Sequence, residues 1–158
     1  TLLRDEYMGQ IQLSVGMTSK VEIEKIVKLF EEKNQAKSRL LIYSCTSGYP
    51  IKFDEICLLE IRKMQDLLTG TKAGIGFSGH HLGIAPDIAA VTLGVKWIER
   101  HFTKDRTWKG TDHAASLEPQ GLQKLVRDLN ISYEALNFKS SEILPIELEQ
   151  REKLKNRK

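Results

Sequence analysis

The chain has 158 residues, of which 41% are hydrophobic, and a net charge of +3. This length and apolar content predict one domain with a buried core and exclude intrinsic disorder. The small charge, with basic and acidic residues interspersed, argues against a nucleic-acid-binding face and favours small-molecule chemistry.

The sequence also predicts a cytoplasmic protein without membrane contact. No apolar run approaches membrane-spanning length, and no signal or transit segment is visible. Cys45 and Cys57 are too few for a disulfide framework and lack the CxxC spacing of zinc sites, so we expect two reduced thiols.

Short β-branched and apolar runs alternate with stretches of helical periodicity along most of the chain, which predicts an α/β fold of parallel strands joined by helices. Ser19 and Glu22 form a capping-box signature, and Trp97 is interpreted as a core residue of the last strand. In chain order we predict a strand at 10–15, a helix from 19 to about 36, a strand at 40–45, a helix from Asp54 to Leu68, a strand at 73–78, a helix from Pro86 that stops at Gly94, a strand at 95–100 and a helix at about 117–136. Residues 138–158 lose this periodicity and are predicted to be a linker or a solvated helix end, so the predicted division is 1–137 and 138–158.

Histidines follow the third and fourth predicted strands. Ligands of parallel α/β folds bind at the carboxyl ends of strands, so His80 and His101 would share a divalent ion if their strands are neighbours. The alternative, two polar residues satisfied by the backbone, stays open. We expect His81 and His113 to point away from the ion or to shape the following loop.

The polar loop at 103–113 lies on the same predicted face. Asp112 is a candidate acceptor for sugar hydroxyls, and the loop cations Lys104, Arg106 and Lys109 are candidates for attracting a phosphate or carboxylate. A solvated charged loop is the alternative. Tyr49, before Pro50, is either a packing residue or a ligand-binding one.

Several motifs at the predicted strand ends resemble the sialic acid synthase family. They are GFSGHHLGI (76–84), IERHFT (98–103) and DRTWKGTDHAASLEP (105–119), with LSVGM (13–17) and CTSGYP (45–50) in support. The resemblance extends in order from about residue 8 to 137. It implies a (β/α) barrel, followed by an antifreeze-like domain, that condenses phosphoenolpyruvate with N-acetylmannosamine or its 6-phosphate, giving N-acetylneuraminate or its 9-phosphate and releasing phosphate.

The resemblance also implies roles for individual residues. His80 and His101 would be the two protein ligands of a manganese-type ion, with magnesium or cobalt as other possibilities. Phosphoenolpyruvate would be held by Ser14 and Ser78. The sugar pocket would be lined by Ser47, Tyr49 and Asp112.

The chain departs from the family pattern at two residues and in extent. Gly79 stands where many members have Asp, and Cys57 where many have Asn. The four predicted strands resemble strands five to eight, whereas a complete barrel needs about 250 residues. We therefore expect a part of a larger synthase, inactive alone, that assembles with the other barrel half or as a homodimer. The alternatives are a non-catalytic half-barrel that self-associates through its strand edges and another metal-dependent barrel enzyme such as an aldolase.

Overall fold

The computed structural model describes residues 2–32, 39–71 and 73–155. Its four strands form one parallel sheet in the order β1-β2-β3-β4, which confirms the predicted α/β fold. The strands are β1 (Ile11–Ser14), β2 (Leu40–Ser44), β3 (Gly74–Gly79) and β4 (Trp97–Arg100). The helices are α1 (Leu2–Asp5), α2 (Lys20–Glu31), α3 (Glu60–Leu67), α4 (Ala85–Thr92), α5 (Pro119–Ala135) and α6 (Pro145–Lys155). The strand bounds differ from the predicted ones by about one or two residues, as is usual for element ends.

Helices α2 to α5 cover one face of the sheet. Two hydrophobic clusters lie between them, one centred on Ile42 and the aliphatic face of α2, the other on Phe77 and the buried side of α3 and α4. Because side chains alternate along a strand, the opposite, inner face presents residues such as Gln12 and Ser14, which are exposed. The described chain is thus a sheet with one helical layer, the arrangement of a partial barrel.

The capping box at the start of α2 is confirmed. The backbone nitrogen and hydroxyl of Ser19 donate to the Glu22 carboxylate at 2.8 and 2.6 Å. These hydrogen bonds lower the pKa of Glu22, because they stabilise its charged form. The predicted helix end near residue 36 lies outside the described residues.

The predicted helix from Asp54 to Leu68 is wrong in its first half. A single 3-10 turn, Phe53–Glu55, comes first, and α3 begins only at Glu60. Between them Cys57 has a φ of 52°, in the left-handed region that L-residues other than Asn and Asp avoid. The chain therefore turns at Cys57 and cannot continue the helix.

Replacing Cys57 with Asn should stabilise the protein. A left-handed conformation costs an ordinary L-residue about 1–2 kcal/mol, and Asn tolerates it better, so we expect the free energy of unfolding to rise by about 0.5–1 kcal/mol. Urea denaturation of the two proteins measures the difference. Cys57→Ala is the matched control, because it removes the thiol but keeps the conformational cost. Equal gains from Asn and Ala would contradict this explanation.

Trp97, predicted as a core residue, is not buried in the described chain. Its side chain lies on the inner face of β4, is 38% exposed and packs over Gly74, where an added Cβ would be 3.1 Å from the ring. The sequence places Trp97 in a strand but does not show that this face lacks a helical layer.

The last part of the chain forms a helix rather than an open linker. None of the residues of α6 is buried, in line with the predicted solvated helix end, and the division at residue 137 stays a prediction. No helix in the described ranges has the length and apolar character needed to cross a membrane.

Candidate functional site

Strand register brings the predicted site residues to one end of the inner face. Ser78 on β3 pairs with Glu99 on β4, and both project inward with the alternation of the pleat. His80 and His101 lie two residues further along each strand, where the chain leaves the sheet. Together they border a cleft of about 390 Å³. Its lining is Ser14, Gly16, Met17, Thr18, Cys45, Ser47, Tyr49, Ser78, His80, Glu99 and His101.

His80 is buried and held by the loop after β2. Its Nδ1 lies 2.8 Å from the carbonyl oxygen of Thr46. A carbonyl can only accept a hydrogen bond, so we assign the ring proton to Nδ1 and the lone pair to Nε2. Nε2 is 3.4 Å from Ser78 Oγ, on the cleft side. The tautomer with its proton on Nδ1 leaves Nε2 available to bind a metal ion.

His101 lies beside His80, and Tyr49 packs against both. The two imidazole centroids are 5.2 Å apart, and the Tyr49 ring is 4.3 Å from His80 and 5.4 Å from His101. Asp112, on the loop after β4, places Oδ2 3.7 Å from His101 Nδ1. Asp112 thus lies at the rim of the cleft and is half-exposed.

Glu99 completes a group of three metal-ligand side chains. One ligand atom each from His80, Glu99 and His101 lies within 4.8 Å of the other two. Ligand atoms lie about 2.1 Å from a bound ion and so at most about 4.2 Å from each other, so binding would draw these side chains closer together. Two imidazoles and a carboxylate suit manganese and related divalent ions. The residues present therefore fit the ion that the resemblance implies.

Desolvation disfavours the charged forms of two further groups in the cleft, Cys45 and Tyr49. Burial raises the pKa of the Cys45 thiol, which holds it as a poorly nucleophilic thiol. The pKa of the Tyr49 hydroxyl is also raised, first by desolvation and then by the negative charges of Asp112 and Glu99. Tyr49 thus remains a hydrogen-bond donor at neutral pH.

The loop after β4 is fixed by its own contacts. Arg106 donates to the Ala114 carbonyl at 2.6 Å through Nη2 and 3.2 Å through Nε, so its guanidinium supports the loop rather than facing the cleft. His113 Nδ1 lies 2.8 Å from Thr103 Oγ1, and its ring packs edge-on against Trp108. His113 therefore shapes the loop and is absent from the cleft lining.

Sequence reasoning located most of this site but missed Glu99. Six of the seven predicted site residues line the cleft, and Asp112 lies at its rim beside His101; their individual roles stay predictions. The signal for Glu99 was its spacing, since a residue two positions before His101 in a strand faces the same side. The contribution of the Thr46 carbonyl has no sequence signal, because it depends on how the loop after β2 folds.

Comparison with known proteins identifies relatives of the chain. A model of the NeuB family matches residues 4–141. N-acetylneuraminate-9-phosphate synthase of Homo sapiens is 39% identical over 142 residues, covering 90% of this chain and 38% of the human protein. N,N'-diacetyllegionaminic acid synthase of Campylobacter jejuni is 39% identical over 116 residues, covering 73% of this chain and 34% of that protein.

A solved structure shows the same fold. The N-acetylneuraminic acid (sialic acid) synthetase of Leptospira borgpetersenii, in complex with citrate, superposes with a TM-score of 0.74 at 32% identity. The match covers 94% of this chain and 51% of that one. The chain spans well under half the length of the human and Campylobacter relatives. The family match over residues 4–141, together with 39% identity to the human relative over 90% of this chain, shows that the chain belongs to the NeuB family.

Proposed function

We propose that the full-length protein containing this chain condenses phosphoenolpyruvate with N-acetylmannosamine or its 6-phosphate, and that this chain supplies the metal-binding part of the active site. The observation that supports it is the convergence of His80, Glu99 and His101 at the carboxyl ends of neighbouring parallel strands. In barrel enzymes that end of the sheet is where catalysis takes place.

His80 would bind a divalent ion through Nε2, because Thr46 holds the proton on Nδ1. His101 would be the second imidazole ligand, and the Glu99 carboxylate would add a negative charge that favours a cation at this position. A bound manganese-type ion would supply Lewis-acid polarisation of the sugar aldehyde.

The remaining residues would bind and orient the two substrates. The hydroxyls of Ser14 and Ser78 line the cleft and would help to hold phosphoenolpyruvate. Ser14 can donate to its oxygens, and Ser78 can do so once its proton leaves Glu99 Oε2. Tyr49 packs against the two histidine rings, and Asp112 can accept hydrogen bonds from sugar hydroxyls. With the substrates so placed, C3 of phosphoenolpyruvate forms a bond to the aldehyde carbon. Water then adds at C2, and the C–O bond to phosphate breaks to release phosphate.

Phosphate release tests this proposal. The full-length protein with Mn²⁺ and phosphoenolpyruvate should release phosphate only when N-acetylmannosamine or its 6-phosphate is added. The 158-residue chain alone should release none above background, because its cleft carries too few cationic groups for a phosphate. Chelation with EDTA should stop the reaction. Absence of sugar-dependent release from the full-length protein would contradict the proposal, and a chain that instead forms stable dimers would favour the self-associating half-barrel.

A further inference from the structure

A cluster of three buried charged or polar side chains lies directly behind the two histidines. His81 and Asp87 have side chains 0% exposed, and that of Arg100 is 2% exposed. His81 follows His80 in the chain, and Arg100 precedes His101. Because side chains alternate along an extended strand, the cluster is on the helical side of the sheet while the metal-site residues face the cleft.

Arg100 is the centre of the cluster. Its Nη1 donates to Asp87 Oδ2 at 2.5 Å and to the Gly83 carbonyl at 2.9 Å. Its Nη2 donates to the His81 carbonyl at 2.7 Å and contacts the Ala115 carbonyl at 3.4 Å. One guanidinium thus connects the exit of β3, the first turn of α4 and the end of the loop that bears Asp112.

The cluster contains more polar groups than its hydrogen bonds satisfy. His81 Nδ1, Asp87 Oδ1 and Arg100 Nε are buried and have no hydrogen-bond partner among the described residues. Such groups destabilise a folded protein, so their presence calls for a role other than stability. The planar guanidinium of Arg100 can fill such a role, because it holds several backbone carbonyls in a single geometry.

Gly79, the last residue of β3, lies against the same cluster. A Cβ added to Gly79 would lie 2.6 Å from His81 Cε1 and 3.1 Å from Arg100 Cδ. The cluster therefore occupies the space beside Gly79, between the two strand exits that end in His80 and His101.

We propose that Arg100, with Asp87 and His81, is a positioning cluster that fixes the orientation of His80 and His101 and the approach of the Asp112 loop. The proposal rests on the metal site described under Proposed function. Its physical reason is that Arg100 directly precedes His101 and donates to the carbonyl of His81, the residue after His80, so a change in its fork geometry moves the two rings relative to each other. Partners behind a metal ligand act in this way on affinity.

Arg100→Lys tests the proposal, because it keeps the positive charge and removes the fork. In the metal-free full-length protein, NMR of the imidazole nitrogens should show shifted signals for His80 and His101, which is a readout independent of any bound ion. The dissociation constant for Mn²⁺ should rise by about 10–100-fold. Arg62→Lys, an exposed arginine of α3, is the matched control and should change neither quantity.

Asp87→Asn is the second variant, used where Arg100→Lys fails to fold, and should change both quantities in the same direction. A folded variant with a lowered melting temperature but unchanged imidazole signals and Mn²⁺ affinity would overturn the proposal, because the cluster would then be structural only. A wild-type protein that binds no Mn²⁺ would overturn the metal site, and the imidazole signals would then decide the positioning role by themselves.

Discussion

Replacing His80 or His101 with alanine should abolish Mn²⁺ binding and turnover by the full-length protein. Each change removes an imidazole from a group in which three ligand atoms lie within 4.8 Å of one another. Loss of a direct ligand should cost more than the roughly 10–100-fold that loss of an outer partner costs. Isothermal titration with Mn²⁺ measures the affinity, and phosphate release measures the turnover.

His113→Ala is the control for both histidine variants. Its ring contacts Thr103 and Trp108 in the loop and does not line the cleft. We expect Mn²⁺ affinity to stay within about twofold of wild type, since a change at a site without a shared partner has a small effect. Wild-type affinity in His80→Ala and His101→Ala, together with its loss in His113→Ala, would refute the assignment.

Glu99→Gln should weaken Mn²⁺ binding and lower kcat together. Gln has the same shape but lacks the charge, and Ser78 Oγ donates a hydrogen bond to Glu99 Oε2, which holds the carboxylate beside the two imidazoles. A unit charge about 4 Å from a cation near a protein surface interacts with about 4 kcal/mol, less the cost of desolvation. We therefore expect a 10–100-fold loss of affinity and a similar loss of kcat.

Glu60→Gln is the matched control for this change. Glu60 is an exposed residue of α3, paired only with Lys63 among the described residues, and exposed pairs contribute little. Binding and kcat should stay at the wild-type values in this variant. Glu99 would have no role at the metal if Glu99→Gln bound Mn²⁺ with unchanged affinity at several salt concentrations.

The predictable part of the site follows from periodicity. In a parallel sheet all carboxyl ends meet at one edge, so His80 and His101 at successive strand ends are brought together once the strand order is β3-β4. The same rule applied at period two would have identified Glu99. Trp97 shows what periodicity cannot predict. Alternation places successive strand residues on opposite faces of the sheet, but only the assembled sheet decides which face the helices cover.

The turn at Cys57 is a second feature that the sequence pattern did not predict. Apolar residues continue at helical spacing on both sides of it, so pattern alone predicts one helix. The backbone there takes a φ of 52°, and Ile56 and Ile61 on either side of the turn pack into the same hydrophobic cluster. The free energy gained by burying apolar side chains such as these exceeds the helix propensity of a single residue.

By itself the sequence determined the α/β order of elements, the capping box of α2 and the two histidines at strand exits, because each depends on residues that are close in the chain or on a strict period. The tertiary structure alone decided that Thr46 holds the proton of His80 and that Arg100 connects three segments. It also gave a reason for glycine at position 79, whose Cβ space is filled by His81 and Arg100. These features join residues up to 34 positions apart, and their distances depend on how the strands and loops pack, which no local pattern specifies.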